Sequence, residues 1–183
     1  GSVDEARLRP TMNRDITLAK YGIAGNTRIV GIAGRLSPVK GHGVFIQAAA
    51  EVLKEIKNVL FLIAGEEVEV RHSDLQHMLR TLQIEDHSRL LPKIDDIADV
   101  MNSFDIAVIA SQGSETISRV LLEYMYLQKP VIGTRVNAIG EIIQPGVSGT
   151  LVPPQNPHAL AGAIKNLLVD ASLKKAYGEN AYD

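Results

Sequence analysis

Apolar residues fall along this chain in two alternating rhythms. Arg28 to Gly34 reads as a first strand, and short unbroken apolar runs at Val59-Leu60-Phe61-Leu62-Ile63-Ala64 and Ile106-Ala107-Val108-Ile109-Ala110 each read as a buried strand. Between them the apolar positions recur at helical spacing. Val44, Phe45, Ala48, Ala49, Val52, Leu53 and Ile56 share one face, as do Leu75, Met78, Leu79 and Leu82 behind a cap at Ser73 or Asp74. A short strand at Arg89 to Leu91 and a helical turn at Ile97 to Met101 follow. Val120 to Leu127 predicts a further helix. Pro130 opens a strand, Val131-Ile132-Gly133, and Asn156-Pro157 caps a last helix carrying Leu160, Ala163, Ile164, Leu167 and Leu168. Strands that alternate with amphipathic helices predict an α/β fold, a doubly wound parallel sheet with helices on both faces. Residues 1–27 are polar and predict a linker with a short helix at Asp15 to Tyr21, ended by Gly22 and Gly25. The folded domain is expected over residues 28–183.

Composition narrows the chemistry. The 183 residues are 45% apolar, enough for one domain with a substantial core. A net charge of −2 with scattered basic residues, and an aromatic content of 4%, argue against nucleic-acid binding. Cysteine is absent, which excludes disulfides, thiolate catalysis and cysteine-ligated zinc. No apolar run reaches the length of a membrane span. Gly1-Ser2 reads as an expression scar, so the chain is expected to be a piece of a longer protein.

In a doubly wound sheet the ligand lies outside the carboxyl ends of the strands, and the polar candidates gather there. Arg35 and Lys40 follow the first strand, and Asn137 to Glu141 follow the strand opened by Pro130. Glu115 falls in the turn after Ile106 to Ala110, and Glu123 inside a helix that is apolar nearly all round. Eight residues of helix separate the two carboxylates by roughly 12 Å, a span that suits an elongated ligand. A helix start between them would bind phosphate, so a nucleotide sugar has the required form. Each residue also has a plainer reading: Glu115 can complement the helix dipole, Glu123 can pair with Arg119, and Arg35 and Lys40 can be solvated surface. Lys40-Gly41 reverses the order of a P-loop, and no Gly-x-Gly-x-x-Gly follows any strand. His72 and His77 lack the intervening Glu of a metalloprotease helix, and Asp95, Asp96 and Asp99 read as a cap or a solvated face.

Three motifs carry a family resemblance. Glu115 and Glu123 with seven residues between them, continued by Tyr124 to Gly133, resemble the signature of retaining glycosyltransferases of the group 1 kind. Gly34-Arg35-Leu36-Ser37-Pro38-Val39-Lys40-Gly41 is similar to their phosphate-binding loop, and Gly146 to Pro154 to their loop before the penultimate helices. The resemblance implies the Rossmann-like, donor-binding half of a GT-B fold, with an N-terminal acceptor domain missing. It implies that Arg35 and Lys40 neutralise the diphosphate of a nucleotide sugar and that Glu115 faces the transferred sugar. Glu123 would hold the ribose, with Gly34 and the backbone of Ile117, Ser118 and Arg119 at the phosphates. The base would lie near Lys93 and Ile94, and Asn137 would complete the donor site. It further implies a retaining transfer in glycan biosynthesis without metal or cofactor, to a glycan or lipid-linked acceptor, in the cytoplasm or at the inner membrane face. Thr116-Ile117-Ser118 departs from the family's usual Gly-Phe-Gly, Asn137-Ala138 from its glycine pair, and Gly65-Glu66-Glu67 from its second glycine. Glu66 and Glu67 are expected to be solvated. Two other readings stay open, another GT-B enzyme such as a sugar-nucleotide epimerase and a non-catalytic nucleotide-binding module.

Overall fold

The computed structural model describes residues 3–92, 94–113 and 118–181. Six strands, β1 (Arg28–Ala33), β2 (Val59–Ala64), β3 (Ser88–Leu91), β4 (Ile106–Ile109), β5 (Val131–Thr134) and β6 (Gly149–Val152), form one sheet. Their order is β3-β2-β1-β4-β5-β6, and every neighbouring pair is parallel. This is the expected doubly wound, Rossmann-like architecture. Between the strands run α3 (His42–Leu53), α4 (His72–Thr81), α5 (Ile97–Asn102), α6 (Arg119–Tyr126) and α7 (Asn137–Ile142). Helices α8 (Pro157–Val169) and α9 (Ala171–Ala181) close the chain, and α1 (Glu5–Leu8) and α2 (Arg14–Lys20) open it.

Side chains of a strand alternate between its faces, and β2 divides accordingly. Val59, Phe61 and Ile63 join one buried cluster with Phe45 of α3, Leu75 of α4 and Leu160 of α8. Leu60, Leu62 and Ala64 join the other, with Met101 of α5 and Leu121 and Tyr124 of α6. A strand buried on both faces needs no polar alternation, which explains the unbroken apolar runs.

Residues 3–27 behave differently from the linker expected of them. Leu8, Leu18 and Ile23 are buried in the second cluster. Polar contacts secure the segment. Asp99, itself buried, accepts hydrogen bonds from Thr11 N (2.7 Å), Thr11 Oγ1 (2.9 Å) and Met12 N (3.0 Å). Asp96 accepts from Lys20 (2.9 Å) and Tyr21 (2.8 Å), and Asp105 from Arg14 Nη2 (2.9 Å) and Ile29 N (2.7 Å). Asp96 does take the N-cap position of α5, without a side-chain cap bond, and it and Asp99 anchor the first helices instead of forming a solvated face. Three widely spaced apolar residues in polar sequence show no helical rhythm, so the docking is invisible until α5 is in place.

Smaller differences have local causes. Asp74 lies in the first turn of α4 instead of capping it, and its carboxylate accepts from Arg71 N at 3.2 Å. Strand β6 stands within the Gly146 to Pro154 stretch that resembles a loop; a four-residue edge strand with half-exposed Thr150 and Leu151 has no apolar run to mark it. Asn156 does cap α8, accepting from Ala159 N at 2.9 Å. Among the described residues, no helix is long and apolar enough to cross a membrane.

Tyr124 fastens the carboxyl ends of the two central strands. Its ring packs edge-on against Phe104, and its hydroxyl accepts from Ala33 N (2.9 Å) and donates to Val108 O (3.3 Å). Tyr124→Phe leaves a buried N–H unpaired, and the expected loss is about 1–3 kcal/mol in urea denaturation. An unchanged midpoint would show the hydroxyl to be dispensable.

Candidate functional site

The chain leaves β1 toward β2 and β3, and returns through β4 toward β5 and β6, so the strand order reverses between β1 and β4. Loops leaving those two strands diverge, and a crevice opens at their carboxyl ends. A cleft of about 310 Å³ lies there. Gly34-Arg35 after β1, Gly65-Glu66 after β2, Ile94, Ile97 and Met101 of α5, and Val120 and Glu123 of α6 line it. Gly34 adopts φ 138°, a left-handed backbone that suits glycine and turns Arg35 outward at the rim. Arg7 of α1 also lines the cleft.

Glu123 is the chemical centre of the cleft. It is 6% exposed, and burial raises its carboxyl above the ordinary range, with the charges of Arg7 and then Arg119 partly offsetting the effect. Among the described residues its carboxylate has no hydrogen-bond donor and no ion pair with Arg119, so the pairing open in the sequence is not formed. A buried carboxylate held this way is ready to accept hydrogen bonds from a ligand.

A smaller chamber, about 10 Å³, adjoins the cleft between β1, β4 and the start of α6. Ala33 and Val120 line both spaces, and Lys40, His42, Ser111 and Ser118 line the chamber. Lys40 ends a single 3-10 turn, Pro38–Lys40, whose proline sets its first residue. Ser118 is the cap of α6 and accepts from Leu121 N at 3.3 Å. His42 opens α3 and is 3% exposed. Burial, then the charges of Lys40 and His72, lower its pKa to about 4, so the imidazole is neutral at pH 7. Neither ring nitrogen of His42 has a hydrogen-bond partner among the described residues, and the buried Ser111 hydroxyl has none either.

Of the residues singled out in the sequence, Gly34, Arg35, Ile94 and Glu123 line the cleft and Lys40 and Ser118 the adjoining chamber. Arg119 is exposed in the first turn of α6, and Asn137 opens α7 after β5 without lining either space. Glu115, Ile117 and Lys93 lie outside the described residues. Glu66 is exposed at the cleft mouth. Glu67 is not simply solvated: it accepts from His72 N at 2.7 Å and sits 3.0 Å from His72 Nδ1, while His72 Nε2 meets Gly65 O at 2.9 Å. Arg7, His42 and Ser111 were not read from the sequence. Only His42 had a visible signal, its place directly after Lys40-Gly41.

Solved structures share this fold. The C-terminal domain of a glycosyl transferase group 1 family protein (LpcC) from Francisella tularensis superposes with a TM-score of 0.85 at 26% identity, over 100% of this chain and 95% of that one. Anabaena Alr3699/HepE, solved with UDP and glucose, gives a TM-score of 0.86 at 27% identity, over 96% of this chain and 48% of that one. Among curated proteins, N-acetyl-alpha-D-glucosaminyl L-malate synthase of Bacillus anthracis is 32% identical over 175 residues, 94% of this chain and 45% of that protein. The chain thus spans less than half the length of that relative. Residues 13–183 match the sequence pattern of the family described as glycosyl transferases group 1, and the chain belongs to that family.

Proposed function

We propose that the chain is the donor-binding half of a retaining glycosyltransferase, which moves a sugar from a nucleoside diphosphate to an acceptor hydroxyl. The observation that carries this reading is the buried Glu123 carboxylate, without a hydrogen-bond donor among the described residues, in a cleft also lined by Gly34 and Arg35. The ribose hydroxyls would donate to Glu123, and Ile94 with Lys93 would flank the base. The diphosphate would lie over Gly34 and the start of α6, where backbone N–H groups of Ile117, Ser118 and Arg119 would complement an anion. Arg35 and Lys40 would offset the charge that grows on the leaving diphosphate as its bond to the anomeric carbon breaks, in place of a metal. The acceptor oxygen would bond to that carbon on the same face and lose its proton to the departing phosphate. Glu115 would hold the transferred sugar and Asn137 would lie beside it. Alr3699/HepE, solved with UDP and glucose, supports a nucleotide sugar as ligand class. The acceptor, a glycan or lipid-linked sugar, would be held by the additional length that the relatives possess. Transfer by these 183 residues alone is therefore not expected. The proposed setting is cytoplasmic, with the inner membrane face as the place of a lipid-linked acceptor.

The test is a thermal-shift titration against UDP, GDP, ADP and their sugar conjugates, with Glu123→Ala and Arg35→Ala alongside. Ligand at about 100 times its Kd adds roughly 2.7 kcal/mol, a rise of about 5–11 °C for a domain of this size. A base-selective rise that shrinks in both variants is the expected result. No rise with any nucleotide, from folded protein, would sink the donor reading.

A further inference from the structure

The small chamber between β1, β4 and the start of α6 is lined by residues with unused hydrogen-bonding capacity. His42 and Ser111 are 3% and 0% exposed, and both imidazole nitrogens and the hydroxyl lack partners among the described residues. A buried donor or acceptor left unpaired costs about 1–3 kcal/mol, so three such atoms around one space are a substantial burden on the fold. The apolar Ile32, Val108 and Ile109 line the same chamber.

The chamber is of single-water size. At about 10 Å³ it is close to the volume one water needs, and it presents the two to four polar partners that would hold one. It cannot contain a phosphate. Its position matters more than its volume, because Ala33 and Val120 border both it and the large cleft, and Lys40 and the α6 cap Ser118 close it. It adjoins the cleft at the β1–β4 switch point, beside the start of α6.

We propose that His42 and Ser111 are positioning residues for a diphosphate: together they hold one water that donates a hydrogen bond to a phosphate oxygen. The inference rests on the donor reading above and deepens it. A neutral imidazole suits this role beside Lys40, since it supplies an N–H donor and a ring acceptor without adding a second positive charge. Ser111 fits as the second arm. Its carbonyl is already engaged by Thr134 Oγ1 at 2.7 Å, which ties the end of β4 to β5 and leaves the hydroxyl for the chamber. Water-mediated contacts of this kind are nearly as favourable as direct ones, and the bridge would be completed only when the anion arrives.

Isothermal titration of the 183-residue chain with UDP, GDP and ADP first identifies the diphosphate it binds most tightly. That diphosphate and its parent nucleoside are then titrated into His42→Leu, Ser111→Ala and the double variant. Each single variant is expected to weaken the diphosphate about tenfold while leaving the nucleoside within about twofold, with a melting temperature equal to or above wild type. The double variant should lose little more than the worse single one, because both residues act through the same water. Equal weakening of nucleoside and diphosphate, or a lower melting temperature accounting for the loss, would show packing roles and overturn the proposal. Unchanged diphosphate binding in both single variants overturns it while leaving the donor reading standing. Failure of the wild type to bind any of the three overturns the donor reading, and this inference with it.

Discussion

Gly41→Ala is expected to destabilise the domain by more than about 4 kcal/mol. Gly41 has φ 71° and ψ 30°, and a Cβ there would come 1.9 Å from the carbonyl oxygen of Ala110. Two costs combine. The left-handed backbone costs an L-residue about 1–2 kcal/mol, and the overlap with a backbone oxygen cannot be relieved by turning a side chain. Either the loop after β1 or the end of β4 must move. Gly22 separates the two costs, since it has the same φ of 71° but nothing within 4 Å of its added Cβ. Gly22→Ala should therefore cost only the backbone share, about 1–2 kcal/mol. With a melting change of about 2–4 °C per kcal/mol, the two variants should differ by roughly 6–12 °C in a thermal scan. Equal melting temperatures would mean that the β1 loop does not press on β4. The close approach also has a functional side, because Lys40 precedes Gly41 and His42 follows it. A displaced loop should lose diphosphate affinity along with stability, whereas Gly22→Ala should not.

Much of this architecture was legible because the sheet is parallel and covered on both faces. Strands such as Val59 to Ala64 then appear as bare apolar runs, and helices such as α3 and α8 as regular stripes with their own caps. Legibility fails where burial depends on a distant partner. Leu8 and Leu18 look like isolated apolar residues, and Asp99 like surface, until each is set against the other. Arg7 reaches the cleft only through that docking. The site divides along the same line. Gly34, Arg35, Ile94 and Glu123 converge on one cleft, as loops after β1 and β3 and a buried helix face should at the carboxyl ends of a doubly wound sheet. His42 and Ser111 belong to no local pattern. An unpaired polar atom is a property of three-dimensional surroundings, and no spacing along the chain announces it.

Acid should reveal the same histidine. Burial and the neighbouring Lys40 and His72 lower His42 from 6.5 to about 4. In the unfolded chain it takes up its proton near pH 6.5, and in the folded chain not until near pH 4. Between those values the unfolded state binds more protons, so stability is fully present above pH 6.5 and falls as pH drops toward 4. The shift corresponds to a loss of roughly 3 kcal/mol by pH 4, comparable to deleting a core methyl pair. Carboxylates titrate over part of the same range, so the informative quantity is a difference. Urea denaturation of wild type and His42→Leu at pH 7, 6, 5 and 4 should give curves that diverge, the variant gaining roughly 3 kcal/mol relative to wild type across the interval. Parallel curves would place the imidazole in contact with solvent. At pH 7 the remaining advantage of leucine, if the variant is already more stable there, measures a different quantity: the cost of keeping unpaired nitrogens, not of avoiding a charge. A stability gain at pH 7 that coincides with lost diphosphate affinity would mean that the fold tolerates the histidine because the ligand uses it.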